Sequence, residues 1–186
     1  MTELLTLARD AGFEETTPLQ AAQLVFRPEV RDMCRADRCS SYGKSWCCPP
    51  ACPSLEEMTR RMWDYDQGVL VETVGTMADD FDYEAMMEAE TRHKERFRQL
   101  TQALYHRYGR ENVLPMGAGT CRRCARCTYP DAPCRFPEEQ VVSMEAYGLL
   151  VSQVCQDCGA VYYHGPRTMT YVSCIFLRRG AEGGKK

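Results

Sequence analysis

Four cysteines stand in the order Cys121-x2-Cys124-x2-Cys127-x6-Cys134. Three thiolates with two residues between them can wrap one corner of an iron–sulfur cubane, because the short gaps let the backbone curl around it. Bacterial ferredoxins use the same C-x2-C-x2-C core with a further cysteine before a proline. Here the fourth cysteine comes six residues on, and the proline arrives at Pro137. Gly117 and Gly119 upstream allow close backbone approach to a bound group. Zinc also takes C-x2-C pairs and is the alternative metal, but a third evenly spaced cysteine is surplus to a zinc knuckle.

A second block reads Cys34-x4-Cys39-x7-Cys47-Cys48-Pro-Pro-x-Cys52. It offers five thiols where a four-thiolate cluster needs four. Neighbouring side chains diverge, so Cys47 and Cys48 are not both expected on one cluster. Cys34, Cys39 and Cys48 are the preferred ligands, with Cys52 or Cys134 as the fourth, or with one iron left open. Pro49 and Pro50 stiffen the link from Cys48 to Cys52, which argues mildly against those two reaching opposite corners of one cubane. Trp46 and Tyr42 either shield the block from water or simply pack.

The remaining cysteines read as core. Cys155-x2-Cys158 has the form of half a zinc ribbon, but it stands thirty residues beyond Cys124, whereas ribbon gaps run about 15–20 residues. On a helix, Met144, Tyr147, Val151, Val154, Cys155 and Cys158 share one face, and free cysteine packs as a small hydrophobe. Cys174 alternates with Val172 and Phe176 along a strand. His93 and His106 are expected to be surface or interhelical polar residues. No C-x3-C-x2-C, C-x-x-C-H, P-loop or G-x-G-x-x-G motif occurs; Gly43-Lys44-Ser45 lacks the upstream glycine of a P-loop.

The elements that position these thiols belong to a chain of 186 residues with 12 cysteines, 44% hydrophobic and 26% charged. That suffices for one domain with its own core, expected over 1–180, with a loose tail at 181–186. No apolar run approaches the roughly 20 residues of a membrane span, and Met1–Glu15 has no signal-peptide pattern. The expected location is the cytoplasm, where clustered cysteines more often serve metals than disulfides. Net charge is −3, yet residues 31–52 sum to +2 and residues 121–136 to +3. Cations beside a thiolate cluster offset its negative charge, and they suit an acidic redox partner or a small anionic substrate. A nucleic-acid partner is not indicated, since the pI is about 5.7 and no basic stripe occurs.

Residues 3–10 read as a short helix and 20–26 as a strand. Ser54-Leu-Glu-Glu57 is a capping box opening a helix to about Tyr65. Val69–Val74 reads as a buried strand, and Tyr83–Tyr108 as the longest helix, stopped by Gly109. Residues 112–116 read as a short strand, and Ser143 caps a helix ending at Gly159. AVYYH and TMTYVSCIFL form a hairpin about Gly165-Pro166. The mixture points to an α+β class: one compact domain with a mixed or antiparallel sheet, packed helices and two cysteine-rich metal-binding loops.

The stretches VRDMCRADRCSSYGKSWCCPP, FDYEAMMEAE, CRRCARCTYPDAPCRFPEEQVVSMEAYGLLVSQ and TMTYVSCIFL resemble the predicted metal-binding proteins grouped as domain of unknown function 2284, over nearly the whole chain. The resemblance implies cysteine-bound metal carried at Cys34, Cys39, Cys48, Cys121, Cys124, Cys127 and Cys134, and names no reaction. Three functions follow as expectations. The first is electron transfer through one or two 4Fe–4S clusters. The second is an iron–sulfur enzyme whose open iron acts as a Lewis acid, and the third is a zinc-stabilised binding module.

Overall fold

The apolar run Val69–Val71 lies in the longest strand of the molecule, and everything else is hung on that strand. The structure is a computed structural model that describes residues 1–181. In chain order its elements are α1 (Thr2–Asp10), β1 (Glu15–Gln20), α2 (Pro28–Arg35), α3 (Leu55–Met62), β2 (Tyr65–Thr76), α4 (Tyr83–Tyr108), β3 (Val113–Gly117), β4 (Val142–Ser143), α5 (Val151–Cys158) and β5 (Thr168–Arg178), with short 3-10 turns between them. The sheet order is β1-β2-β5-β3-β4. All neighbours are antiparallel except β3 and β4, which run parallel. This is an α+β fold with a mixed sheet, as composition and pattern predict. Of the expected tail, all but Ala181 lies outside the described residues.

Alternation along β2 and β5 divides the core in two. On one face Val69, Val71 and Ile175 pack against Leu4 and Ala8 of α1 and Phe97, Leu100 and Leu104 of α4. On the other face Leu70, Val172, Cys174 and Phe176 meet Met58 and Met62 of α3, Val154 and Cys155 of α5, and Cys47 and Cys52. Each such apolar side chain contributes about 1.5–3 kcal/mol on burial. Cys47 and Cys52 of the first block therefore belong to one side of the sheet, and the long helix packs on the other. Cys174 is fully buried in β5, as its alternation predicts. α4 comes down so closely on β2 that a Cβ at Gly75 would stand 2.7 Å from that of Ala89.

The capping box of α3 forms in full: Glu57 N–H donates to Ser54 Oγ at 3.2 Å, and Ser54 N–H to Glu57 Oε2 at 2.6 Å. Met58 and Met62 are buried as expected, and α4 and Gly109 fall where the sequence puts them.

Four expectations are corrected. The strand near 20–26 is instead Glu15–Gln20, after which Gln20 and Gln23 cap each other around a 3-10 turn. The helix expected from Ser143 to Gly159 is split: Gly148, at φ +81°, ends a 3-10 turn, and its carbonyl accepts the Arg27 N–H at 2.8 Å. AVYYH forms no hairpin strand, because both edges of β5 are taken by β2 and β3; Val161, Tyr162 and Tyr163 remain exposed. His93 is neither a surface nor an interhelical residue but a fully buried one, with Nδ1 3.0 Å from Thr73 Oγ1 and Nε2 2.8 Å from Ser173 Oγ. It thereby bridges α4 to both central strands.

Burial, with Lys94 and Arg96 nearby, lowers the His93 pKa to about 3 from 6.5. Both folded and unfolded states are neutral here above about pH 7, so no stability is lost there. As pH falls below 6.5, only the unfolded state gains the proton, and the fold loses stability down to about pH 3. Between pH 7 and pH 5 the wild type should lose about 2 kcal/mol through this group, read by urea unfolding. His93→Gln should flatten the curve by that amount, and an unchanged slope would refute a neutral buried His93. Cys174→Ala should cost about 1 kcal/mol of packing in the same measurement.

Candidate metal centre

The first cysteine block begins at the end of α2, which Pro28 opens and which delivers Cys34 in its last turn. Beyond it the chain folds without ladder partners. Asp37 Oδ1 accepts the Tyr42 N–H at 2.8 Å, and the Gly43 N–H reaches the Pro49 carbonyl at 2.8 Å. Arg31 clamps the block: its guanidinium donates to the carbonyls of Pro53 at 2.8 Å, Ala146 at 2.5 Å and Cys52 at 3.4 Å. From Cys48 to Cys52 the backbone closes as one turn, the amides of Ala51 and Cys52 both reaching the Cys48 carbonyl, at 3.0 and 3.2 Å. The two prolines thus sit within a turn that draws the two cysteines together.

Cys34, Cys39, Cys48 and Cys52 form one electrostatic group. Burial raises the Cys34 thiol pKa, and negative charge at Cys39 and Cys48 raises it further against Arg31. Burial lifts Cys52 to about 11, with Arg31 opposing and Cys48 and Cys34 adding. Cys34 and Cys52 point their thiols at successive carbonyls, Glu145 at 3.9 Å and Ala146 at 4.0 Å.

The second block, Cys121 to Cys134, is likewise irregular and held by side chains. Trp46 Nε1 donates to the Ala132 carbonyl at 3.1 Å, and the Trp46 ring meets Tyr129 edge-on at 4.9 Å. Thr128 Oγ1 donates to the Pro133 carbonyl at 2.8 Å, and Arg123 lies 4.1 Å over the Phe136 ring. Cys121, Cys124, Cys127 and Cys134 all line one small cavity, and Cys47 from the first block lines it with them. Cys134 thus lines the cavity of its own block, and Cys52 is not among the lining residues.

Cys47 is the residue that the motif left out. It and Cys48 are consecutive and both are buried, but only Cys47 lines that cavity. Cys48 Sγ lies 3.4 Å from Thr120 Oγ1 and interacts electrostatically with both Cys39 and Cys121. Cys47 and Cys121 interact as a pair: hydrogen bonding between them lowers the Cys121 pKa to about 6 against burial, helped by the Arg123 amide and the charges of Lys94 and Arg123. The same interaction, with burial, raises the Cys47 thiol. The divergence of adjacent side chains was the signal: it keeps Cys47 and Cys48 off one cluster and permits them to face two.

Sulfur atoms in the second group also receive backbone amides. Burial opposes ionisation of Cys127, but amides of Tyr129 and Trp46 and the Ser45 hydroxyl bring its thiol below the ordinary value. The Phe136 N–H reaches Cys134 Sγ at 3.4 Å. Among the described residues no three His, Cys, Asp or Glu side chains are drawn in around a single ion. The donor set nonetheless fits a thiolate-bound metal group: soft sulfur ligands, N–H donors to the sulfurs and neighbouring cations are the features such groups use.

On the far side of Cys121 opens a larger cleft of about 490 Å³, between α4 and the segment 117–123. Its cations are matched by carboxylates: Lys94 and Arg122 on Glu90 at 2.6 and 3.0 Å, Arg98 on Glu95 at 2.8 Å, and Arg123 on Glu139 at 2.7 Å.

No match was found among curated proteins or among solved structures. The model of a family described as predicted metal-binding proteins, DUF2284, matches residues 17–177. That span takes in both cysteine blocks and every strand except the first two residues of β1 and the last residue of β5. The chain belongs to the DUF2284 family of predicted metal-binding proteins.

Proposed function

We propose that this protein holds one or two 4Fe–4S clusters and transfers electrons. The observation that carries the reading is that Cys47 lines one cavity with the four cysteines of the second block, whereas its neighbour Cys48 lies outside that cavity and interacts with Cys34, Cys39 and Cys52. Cys34, Cys39, Cys48 and Cys52 would hold one cluster, and Cys121, Cys124, Cys127 and Cys134 the other, with Cys47 hydrogen-bonded to Cys121. Bound clusters supply one-electron chemistry at potentials set by hydrogen bonding, burial and charge. The chain's own part is to supply thiolates, to direct the amides of Trp46, Tyr129 and Phe136 at sulfur, and to cover the second group with Trp46 and Tyr129. The basic flanks serve docking: Arg38 and Arg126 are exposed, and neither forms an ion pair among the described residues. They suit an acidic partner protein.

A second reading, an iron–sulfur enzyme, draws on the cleft at Cys121. Its volume of about 490 Å³ lies in the range of small-molecule sites, about 300–1,000 Å³. Thr101 Oγ1 is buried in its wall without a hydrogen-bond partner. Paired cations make a polar ligand of little net charge a better fit there than a strongly anionic one.

Anaerobically purified protein should be brown, with broad visible charge-transfer absorption and iron matched by acid-labile sulfide. A colourless protein with zinc and no iron would instead support a zinc-stabilised binding module. Joint substitution of Cys121, Cys124 and Cys127 by alanine should halve the iron of a two-cluster protein and destabilise the fold, since metal-binding energy is folding energy. Cys174→Ala should leave the iron unchanged. Cys48→Ala should remove first-group iron, whereas Cys47→Ala should keep iron content and shift the potential of the second group. Equal iron loss from both single variants would defeat the division of labour between Cys47 and Cys48.

A further inference from the structure

Glu72 occupies the middle of β2, hydrogen-bonded into the sheet between β1 and β5, and its side chain is wholly buried. A carboxylate there is costly unless a partner compensates it. Among the described residues no lysine or arginine pairs with it. Its Oε1 lies 3.6 Å from Cys155 Sγ, and its Oε2 lies 3.7 Å from His164 Nε2. The second separation is too long for a hydrogen bond, so Glu72 Oε2 and His164 Nε2 are both buried without a partner. Cys158, one turn further along α5, turns its thiol onto the Cys155 carbonyl at 3.4 Å. One thiol and an imidazole thus meet the two oxygens of one carboxylate, with a second thiol one helical turn away, although the four are not drawn in around one point.

We propose that Cys155, Cys158, His164 and Glu72 form a separate structural site for a zinc-like divalent cation. Zinc bonds of about 2.3 Å to sulfur and about 2.0–2.2 Å to nitrogen and oxygen give a tetrahedron with edges of about 3.3–3.8 Å. The separations of 3.6 Å from Cys155 Sγ to Glu72 Oε1 and 3.7 Å from Glu72 Oε2 to His164 Nε2 fall in that range, one on each oxygen of the carboxylate. Closure on one cation needs the Glu72 carboxylate to turn one oxygen to both partners and Cys158 Sγ to leave the Cys155 carbonyl by rotation of its side chain. The two thiols release two protons to solvent on binding, and the cation then faces two thiolates and one carboxylate.

A redox-active dithiol fits less well. Burial raises the Cys155 pKa, with the Glu72 charge adding to it, and burial raises Cys158 too; a reactive thiol needs the opposite shift. A cation also explains how the segment 160–164 is held, because its other side chains give it little anchorage: Val161, Tyr162 and Tyr163 are exposed. His164 would tie that segment to α5 and β2.

The test is zinc and iron content of the full chain, grown with both metals, for wild type, Cys155→Ser with Cys158→Ser, and His164→Gln. The double variant should lose one equivalent of zinc per chain and keep its iron. His164→Gln leaves the buried thiols in place and guards against a folding defect; it should weaken zinc binding at least about tenfold in a chelator competition. Cobalt soaked into the wild type should give tetrahedral d–d bands that the double variant lacks. If the two cysteine blocks bind zinc instead of iron, the double variant should still lose one equivalent, so the two readings fail separately. Full zinc content in the double variant, undiminished affinity in His164→Gln, or no zinc beyond that of the cysteine blocks in wild type would each overturn the proposal.

Discussion

Two consecutive side chains outside a helix leave the backbone in different directions, and at Cys47 and Cys48 that constraint organises the whole cysteine-rich face. Cys47 is paired with Cys121, while Cys48 interacts with Cys34, Cys39 and Cys52 and also with Cys121. The two blocks are separated by α3, β2, α4 and β3 in sequence, and they meet at the segment from Ser45 to Cys48. Neither block has a ladder of its own, so its backbone polar groups are satisfied by side chains such as Arg31, Asp37, Trp46 and Thr128. The irregular segments are in effect specified by polar contacts to side chains, while the sheet is specified by apolar burial.

The sheet keeps these two kinds of order apart. Its α1 and α4 face is mainly apolar, and the buried His93 there is satisfied at both ring nitrogens by Thr73 and Ser173. The opposite face collects sulfur: Cys47, Cys52, Cys155 and Cys174 all belong to its core. Thiols can serve there as small hydrophobes when protonated and as ligands when not. Which role each one takes is then decided by its neighbours. Cys174 has the core around it and burial raises its pKa, whereas Cys121 has a paired thiol, an amide and two cations that lower its pKa.

How much of this the sequence discloses depends on the range of the interaction. Local signals served well: the Ser54–Glu57 box, the Tyr83–Tyr108 periodicity with Gly109, and the alternation around Cys174 all describe contacts within a few residues. The misreadings arise where a distant segment decides. The helix expected after Ser143 breaks because the Arg27 backbone meets Gly148. AVYYH stays out of the sheet because β2 and β3 already flank β5. His93 looks like a surface polar residue until two strands supply its hydroxyl partners. At the candidate metal centre, the spacing within each block gives the donors, but only the fold associates Cys47 with Cys121, or Glu72 with Cys155 and His164.

The parallel pair of β3 and β4 has a consequence for handling the protein. β4 is two residues long and follows the second cysteine block after one 3-10 turn, so its pairing with Met116 and Gly117 at the outer edge of β3 depends on that block holding its shape. Oxidation of its thiols to mixed disulfides would loosen the segment and bare unpaired N–H and C=O groups on a strand whose side chains are all buried. Such an edge is a template for joining another chain. A reducing, oxygen-free buffer therefore guards this edge as well as the thiols.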